Sequence, residues 1–202
     1  MLESAAMTTT PTSGSLRVIG GKWRSRKLTF PAAPGLRPTA DRIRETLFNW
    51  LQNDVDLASC LDLFAGSGAC GIEALSRGAA RSVFVESNAA ATRAIQDSLQ
   101  ALDCKQGTVV RRDVLDWLRS RPPEYQGGFD LVFIDPPYAT DLQLDTAIQL
   151  ENSGVLKARA RIYIESDKEL DLQAFPATWE NVRHKKAGIV HYYLFNRKTL
   201  TP

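Results

Sequence analysis

Two short segments of the chain contain residue types that could bind a nucleotide-like cofactor and act on a planar amine. Asp62-Leu-Phe-Ala-Gly-Ser-Gly68 and Asp135-Pro-Pro-Tyr138 each come at the end of a short apolar run that is typical of a buried strand. A glycine-rich turn lets the backbone approach a ligand without a clash from a Cβ atom. Together, the two segments point to methyl transfer onto an exocyclic amino nitrogen.

The Asp-Pro-Pro-Tyr segment has the groups needed to hold such an amine on a nucleobase. The amine is a weak nucleophile because its lone pair is delocalised into the ring, but it is unprotonated at neutral pH. The Asp135 carboxylate and the Pro136 carbonyl could accept its two N–H groups, since Pro137 has no N–H to tie this backbone into a ladder. The prolines also fix the turn, and Tyr138 offers a flat face for an extruded base. The alternative is a rigid surface turn with a capping acid. The predicted catalytic residues are Asp135, Pro136, Pro137 and Tyr138.

The cofactor prediction depends on the glycine pattern and on acids at the ends of successive strands. Gly66-Ser-Gly68-Ala-Cys-Gly71 matches the Gly-x-Gly-x-x-Gly pattern that opens a helix after a strand. Glu86 could accept the hydroxyl protons of a ribose, and Asp113 could accept from an adenine amine or cap the following helix. Asp62 could order the loop amides or meet an ammonium group. The predicted cofactor-binding residues are Asp62, Phe64, Ala65, Gly66, Ser67, Gly68, Glu86, Ser87, Asp113 and Val114.

Two other chemistries are less well supported by the residues. The glycine pattern also allows a nicotinamide-dependent dehydrogenase, but no acid/base set for hydride transfer surrounds the fourth core strand. Methylation of a pyrimidine C5 carbon needs a cysteine nucleophile. Cys60 is predicted within a strand, Cys70 within a helix and Cys104 at a helix end, so none is placed for attack.

The elements that must position these residues alternate between strand and helix. Strands are predicted over 60–64, 81–86, 108–112, 129–134 and 160–165, with helices over 41–52, 69–77, 88–102, 113–119 and 141–152. Two more strands, 179–186 and 189–197, have no helix between them, and residues 16–30 have a hairpin pattern. This alternation predicts an α/β fold with a doubly wound, mostly parallel sheet, a C-terminal antiparallel hairpin and an N-terminal β-hairpin extension.

Positive charge is concentrated near the N-terminus. Residues 16–46 contain eight Lys or Arg and two acids, whereas the net charge of the whole chain is +2, so the remainder carries an excess of four negative charges. A basic segment on an acidic body is typical of a polyanion-binding protein, and the alternative is a solubilising face. Trp23 could stack on a base or belong to the core, and Thr39 could border the cleft or only cap a helix. The predicted nucleic-acid-binding residues are Arg17, Lys22, Trp23, Arg24, Arg26, Lys27, Arg37, Thr39 and Arg42.

Composition narrows the remaining classes and gives a domain division. The three cysteines form no Cys-x-x-Cys pattern and no set with the two histidines, so neither a disulfide framework nor a metal site is predicted, and a reducing cytoplasm fits. No apolar run is long enough for a membrane span, and no secretory signal is recognisable. We expect a disordered leader (1–15), a basic RNA-binding hairpin extension and linker (16–38), and a methyltransferase domain (39–202), with a monomer as the default.

The chain resembles the bacterial 16S rRNA (guanine-N2)-methyltransferase RsmD family over nearly all of residues 16–197. The most distinctive likeness is Gly35-Leu-Arg-Pro-Thr-Ala-Asp-Arg-Ile-Arg-Glu-Thr-Leu-Phe-Asn-Trp-Leu51, together with residues 16–28, 61–69 and the Asp-Pro-Pro-Tyr segment. The resemblance implies a seven-stranded class I sheet and S-adenosylmethionine as the methyl donor. It implies that Glu86 holds the ribose and Asp113 the adenine, and that the substrate is one guanine in small-subunit rRNA within an assembling subunit. The rival interpretations are a DNA amino-methyltransferase acting on adenine N6 or cytosine N4, and a non-catalytic RNA-binding assembly factor.

Overall fold

The computed structural model describes residues 13–31, 41–120, 122–137 and 140–199. The strands are β1 (Ser13–Arg17), β2 (Lys27–Pro31), β3 (Ser59–Leu63), β4 (Arg81–Glu86), β5 (Gly107–Arg111), β6 (Phe129–Ile134), β7 (Leu156–Ser166), β8 (Trp179–Ala187) and β9 (Val190–Arg197). The α-helices are α1 (Asp41–Trp50), α2 (Ala69–Ser76), α3 (Ala89–Ala101), α4 (Val114–Arg119) and α5 (Leu142–Ser153). None of the helices in these ranges is both long and apolar enough to cross a bilayer.

Seven strands form one sheet in the order β5-β4-β3-β6-β7-β9-β8, while β1 and β2 form a separate antiparallel pair. Strands β3 to β7 run parallel to one another, and β9 is antiparallel to both β7 and β8. From β3 the chain builds outward through β4 and β5, then returns to the other side of β3 with β6. Ligands of open α/β sheets bind at such a switch point, beyond the carboxyl ends of the strands.

Alternate residues of the central strands face two separate cores. Cys60 and Phe133 belong to a cluster with α1, α2, α3 and the β1–β2 pair, whereas Leu61 and Val132 belong to a cluster with α4 and α5. Both faces of the sheet are therefore covered, as a parallel sheet requires. The predicted α/β class, with its C-terminal antiparallel hairpin and N-terminal β-hairpin, is confirmed.

Two predicted boundaries differ from the structure by more than two residues. Strand β7 begins at Leu156, four residues before the predicted start at 160. The prediction missed this first part of the strand because the exposed Lys157 and Arg159 interrupt its apolar pattern. Strand β1 begins at Ser13, so the predicted disordered leader is wrong for residues 13–15, which pair with β2. The rest of the leader, and the linker that contains Thr39, lie outside the described residues.

The β1–β2 pair is attached to helix α2 through the buried side chain of Glu73. One carboxylate oxygen accepts the N–H of Ile19 at 2.8 Å, and the other accepts the N–H of Gly20 at 2.8 Å and Nε of Arg77 at 2.7 Å. The fully buried Arg44 guanidinium lies 3.8 Å from the same carboxylate. Since α2 directly follows the glycine-rich turn, the N-terminal extension is fixed to the helix that bounds the predicted cofactor site.

Candidate active site

Three strand ends lie in one row at the carboxyl edge of the sheet. Leu63 of β3 pairs with Val85 of β4 on one side and with Ile134 of β6 on the other. The next residues along the chain are Glu86, which ends β4, and Asp135, which directly follows β6. Because neighbouring strands are about 4.8 Å apart, the glycine-rich turn that follows β3 leaves the sheet between Glu86 and Asp135.

The turn after β3 needs glycine at two positions. Gly66 and Gly68 have φ of 53° and 76°, in the left-handed region, and Phe64 adopts a φ of 57° there as well. Gly71 has a different role, because a Cβ at this position would lie 2.2 Å from the Phe84 ring, so it allows α2 to pack on the sheet. The remaining predicted residues of the turn, Ala65 and Ser67, are buried.

Glu86 uses both carboxylate oxygens to order the backbone around it. One oxygen accepts the N–H of Gly66 at 2.8 Å, and the other accepts the N–H of Asn88 at 2.7 Å. Asn88, which the sequence analysis did not single out, caps α3 by accepting from the N–H groups of Ala90 and Ala91. Each carboxylate oxygen has a second lone pair, so Glu86 keeps the capacity to accept from a ligand.

Asp62 is a buried acid in the middle of this edge. It is 4% exposed, and its Oδ2 accepts the N–H of Gly71 at 2.8 Å. Burial, together with the charges of the nearby Asp135 and Glu86, raises the pKa of Asp62 to about 8 against the lowering effect of the Gly71 N–H. The predicted ordering of backbone amides is thus seen at the first turn of α2. The carboxyl is poised to become charged when a cation approaches.

Asp113 occupies the position that the sequence left open between a cap and an adenine ligand. Its Oδ1 accepts the N–H of Asp116 at 3.0 Å, so it caps α4. The side chain is exposed and its second oxygen has no such role in the cap, so the adenine function stays a prediction. Of the neighbouring predicted residues, Ser87 is exposed and Val114, the first residue of α4, is buried.

The predicted catalytic turn leaves β6 at the sheet edge. Asp135 is half-buried, Pro136 is buried, and the exposed Pro137 accepts a hydrogen bond from Oγ1 of Thr140 at 2.6 Å. This bond uses the Pro137 carbonyl and closes the turn. Tyr138 lies outside the described residues, so its predicted stacking role stays a prediction.

Glu165 is a further acid at this edge that the sequence analysis did not single out. It is 2% exposed, accepts the hydroxyl of Tyr163 at 2.8 Å, and stands one strand from Asp135 because Ile134 pairs with Ile164. The sequence contained a signal for this residue, since Glu165 follows an apolar run in the same way as Glu86 follows the apolar residues of β4. With Asp62, Glu86 and Asp135, it makes the carboxyl edge strongly acidic.

The basic loop of the N-terminal hairpin lies toward the opposite end of the sheet. Trp23 donates its N–H to Ser76 at the end of α2, and Arg26 donates to the carbonyl of Ala101 at the end of α3. Both helices end near the amino edge of the sheet, where Gly78 accepts a hydrogen bond from the N–H before β3. Helix lengths of 8 and 13 residues put the loop roughly 12–20 Å from the edge that carries the acids.

The predicted nucleic-acid residues therefore have different surroundings. Arg17 pairs with Asp41 at 2.8 Å, and Trp23 is half-buried against the core with the Lys22 ammonium 4.2 Å from its ring centroid. Part of the Trp23 surface thus serves the core, as one of the two interpretations held. Arg24, Arg26, Lys27 and Arg42 are exposed, and Arg37 and Thr39 lie outside the described residues.

Two of the three cysteines, Cys60 and Cys70, are buried and unsuited to nucleophilic catalysis. Burial raises the pKa of the Cys60 thiol and the pKa of the Cys70 thiol well above the ordinary range, and nearby acids add to both shifts. The described residues contain no cluster of three or more His, Cys, Asp or Glu that could hold a metal ion.

Comparison with known proteins gives consistent matches over most of the chain. The family described as Conserved hypothetical protein 95 matches residues 16–196. "Ribosomal RNA small subunit methyltransferase D" of Escherichia coli is 44% identical over 186 residues, which cover 92% of each chain. The solved structure of the Escherichia coli protein yhhF is 43% identical, with a TM-score of 0.80 over 92% of this chain and 99% of that one.

A more distant likeness concerns the fold alone. The Streptococcus mutans protein SMU.776, solved in complex with SAH, is 13% identical, with a TM-score of 0.69 over 93% of this chain and 57% of that one. At this identity the sheet and its helices are shared, while the residues are largely different.

Proposed function

Because the chain belongs to the family of the ribosomal RNA small subunit methyltransferase D, we propose that it transfers a methyl group from S-adenosylmethionine to the N2 amine of a guanine in 16S rRNA. One observation carries the proposal: the glycine-rich turn and the Asp135 turn leave adjacent strands in the same row at the switch point of the sheet. A donor held by the first turn lies beside an amine held by the second.

The residues at this edge fit S-adenosylmethionine. Gly66 and Gly68 give backbone access, and Glu86 has the free lone pairs to accept ribose hydroxyls. Asp113 is available to the adenine amine, and Asp62 to the ammonium of the methionine part. The acidic surroundings complement both positive charges of the cofactor, which supplies an electrophilic methyl group on a sulfonium. The SAH in the Streptococcus mutans protein of the same fold supports this choice of cofactor.

The chain's own contribution to the reaction is to bind and orient the amine. The Asp135 carboxylate and the Pro136 carbonyl accept its two N–H groups, which favours a pyramidal nitrogen with an available lone pair. The bond from Thr140 to the Pro137 carbonyl holds the turn in place before the base arrives. Tyr138 stacks on the extruded base. Positioning supplies much of the remaining acceleration.

The substrate follows from the relatives rather than from the site. The Escherichia coli relative is named for small-subunit ribosomal RNA, and it covers nearly the whole chain. The exposed cations Arg24, Lys27 and Arg42 suit an RNA backbone. We take the substrate to be 16S rRNA within an assembling small subunit in the cytoplasm, with the enzyme acting as a monomer.

A transfer assay tests this function. The purified protein is incubated with labelled S-adenosylmethionine and either naked 16S rRNA, small-subunit particles or duplex DNA, and the modified nucleosides are identified by mass spectrometry. We expect N2-methylguanosine in rRNA or particles and no label in DNA. Methylated adenine or cytosine in DNA, or no product on any substrate, would overturn the proposal.

A further inference from the structure

The outermost strand of the large sheet, β8, has its positive charge in one half only. Arg183, Lys185 and Lys186 are exposed, and none of them forms an ion pair with another described residue. The first half of the strand instead has an acid, Glu180, which pairs with Lys198 at 3.5 Å. The charge of the strand thus changes sign along its length.

The basic half is the half that reaches the carboxyl edge of the sheet. Because Ile134 of β6 pairs with Ile164 of β7, Asp135 is level with Glu165. Across the next two strands, Glu165 pairs with Tyr192 of β9, and Tyr192 pairs with Lys185 of β8. Three inter-strand spacings of about 4.8 Å put Lys185 roughly 14 Å from Asp135. Lys185 therefore lies in the same row as the predicted acceptor of the target amine.

The hairpin also extends beyond this row. Lys186 and Ala187 continue β8 before the turn at Gly188, whose φ is 62°. At about 3.4 Å per residue, the tip projects roughly 10 Å past the level of Asp135. Ile189 at the tip is 68% exposed, so a branched apolar side chain is presented to solvent there.

The position of the cations on β8 is not explained by a need to prevent the sheet edge from pairing with another chain. Lysines on an edge strand commonly prevent pairing with another chain, and they would do so anywhere along the strand. Here the cations are confined to the end next to the acidic site. An RNA strand entering that site must bring its phosphates close to Glu86, Asp135 and Glu165, and a neighbouring cationic surface offsets the repulsion.

Among the described residues, the N-terminal basic loop cannot serve this purpose. Its Trp23 and Arg26 contact the far ends of α2 and α3, toward the amino edge of the sheet. Contacts made there would hold RNA that is remote from the target base.

We propose that the tip of the β8–β9 hairpin, residues 183–189, binds the phosphate backbone of the RNA strand that flanks the target base. The inference rests on the proposed function, since it takes rRNA as the substrate. Lys185 and Lys186 each neutralise a phosphate, Arg183 extends the cationic surface, and Ile189 contacts the sugar face of the strand. The tip of the β8–β9 hairpin and the N-terminal basic loop thus bind the RNA at two separate places.

The local electrostatics agree with a cationic tip. Burial, followed by the positive charge of Lys186 and the neighbouring His184, lowers the pKa of His191, while Glu169 acts in the opposite direction. On the same face of the hairpin as Lys185, Tyr192 stacks on Trp50 with ring centroids 5.4 Å apart, which fixes the strand that pairs with Lys185.

The test uses the double variant Lys185→Glu/Lys186→Glu in the full chain. Its matched control, Lys105→Glu/Arg159→Glu, reverses two exposed cations at the amino edge of the sheet. For each protein we would measure 16S rRNA affinity against salt concentration, the KM and kcat of methyl transfer, SAH affinity, and the melting temperature. The neutral variant Lys185→Gln/Lys186→Gln separates loss of attraction from introduced repulsion.

We expect the reversal to weaken rRNA binding about tenfold or more and to lower the salt slope by about two, as for two lost phosphate contacts. The KM for rRNA should rise, while SAH affinity and the kcat at saturating RNA should stay unchanged. The rRNA affinity of the Gln variant should lie between those of the wild type and the Glu variant, and the control should bind rRNA like the wild type. If both tip variants keep the wild-type rRNA affinity and the wild-type salt slope, the proposal that the tip binds RNA is overturned. A wild type that binds rRNA through the tip but methylates no RNA would refute the proposed function and leave the tip standing, whereas a wild type that binds no rRNA would refute both.

Discussion

Asp62 shows how one buried acid can serve both folding and ligand binding. Its carboxyl is almost fully removed from water and accepts the N–H of Gly71. Burial, with Asp135 and Glu86 nearby, raises its pKa to about 8 despite that hydrogen bond. A cationic ligand would reverse the balance, because an adjacent positive charge stabilises the carboxylate.

This pKa predicts a pH dependence of stability with a definite sign. In the unfolded chain an aspartate titrates near pH 3.9, so between about pH 4 and 8 the folded state holds a proton that the unfolded state lacks. The stabilisation is present at the low end of this window and is lost as the pH rises through it. Relative to Asp62→Asn, the wild type should therefore lose free energy of unfolding from pH 5 to pH 8.

Urea unfolding at several pH values measures this difference. The exposed acid Asp97 provides the control variant Asp97→Asn, which should follow the wild type at every pH. An unchanging difference between wild type and Asp62→Asn would mean that Asp62 is ionised in the folded protein throughout.

From the sequence, Glu86 and Asp135 could be identified at strand ends, whereas Glu165 was missed although it too follows an apolar run, and so were the residues that depend on distant packing. Glu86 and Asp135 could be predicted because an acid after an apolar run marks a strand end. Glu73 and Arg44 could not, because their partners are the backbone of a hairpin more than 25 residues away in sequence. Nothing local distinguishes a buried glutamate of this kind from a solvated one.

At the level of elements, the main feature is the attachment of the N-terminal hairpin to α2. Gly21 makes the closest approach: it has a φ of 75°, and a Cβ there would lie 1.8 Å from the carbonyl oxygen of Ser76. The Ser76 hydroxyl donates to the Gly20 carbonyl at 2.6 Å and accepts the N–H of Trp23 at 3.0 Å. Only glycine satisfies the backbone conformation and the contact together.

Gly21 and Gly188 form a matched pair for testing this contact. Gly188 has a similar φ of 62°, but a Cβ there would meet nothing within 4 Å. Gly188→Ala should cost only the backbone strain of about 1–2 kcal/mol, whereas Gly21→Ala should cost about 2 kcal/mol more because the hairpin must move away from α2. Free energies of unfolding from urea titrations give both values.

Equal losses in the two variants would contradict the docking geometry. If Gly21→Ala loses more free energy of unfolding than Gly188→Ala and is also cleaved faster within residues 16–30, the destabilised element is the N-terminal hairpin. The sequence predicted this hairpin from its glycine pair and short apolar runs, but the element on which it packs became visible only in the folded chain.

At the scale of the whole molecule, charge is divided between the two edges of the sheet. The carboxyl edge holds the buried and half-buried acids, and the N-terminal basic loop lies toward the amino edge. The excess of positive charge near the N-terminus was evident from the sequence. Its distance from the acids was not, because it depends on the direction of α2 and α3 beneath the hairpin.

The overall topology could be predicted from the sequence in part. The alternation of strands and helices determined the parallel sheet, and the missing helix after residue 179 indicated the terminal antiparallel hairpin. The pairing of β3 with β6 is a long-range contact that places the two turns side by side. The proposal that Asp135 faces a bound methyl donor depends on this pairing.

The role of Asp135 is tested most directly by the single-turnover rate of methyl transfer from bound S-adenosylmethionine to small-subunit rRNA particles. Asp135→Ala should lower this rate about 10²–10³-fold, the usual cost of removing one preorganised hydrogen-bonding group, with SAH affinity unchanged. Asp97→Ala, which removes an exposed acid on α3, should match the wild type. An Asp135→Ala enzyme that transfers methyl groups at the wild-type rate would contradict the account.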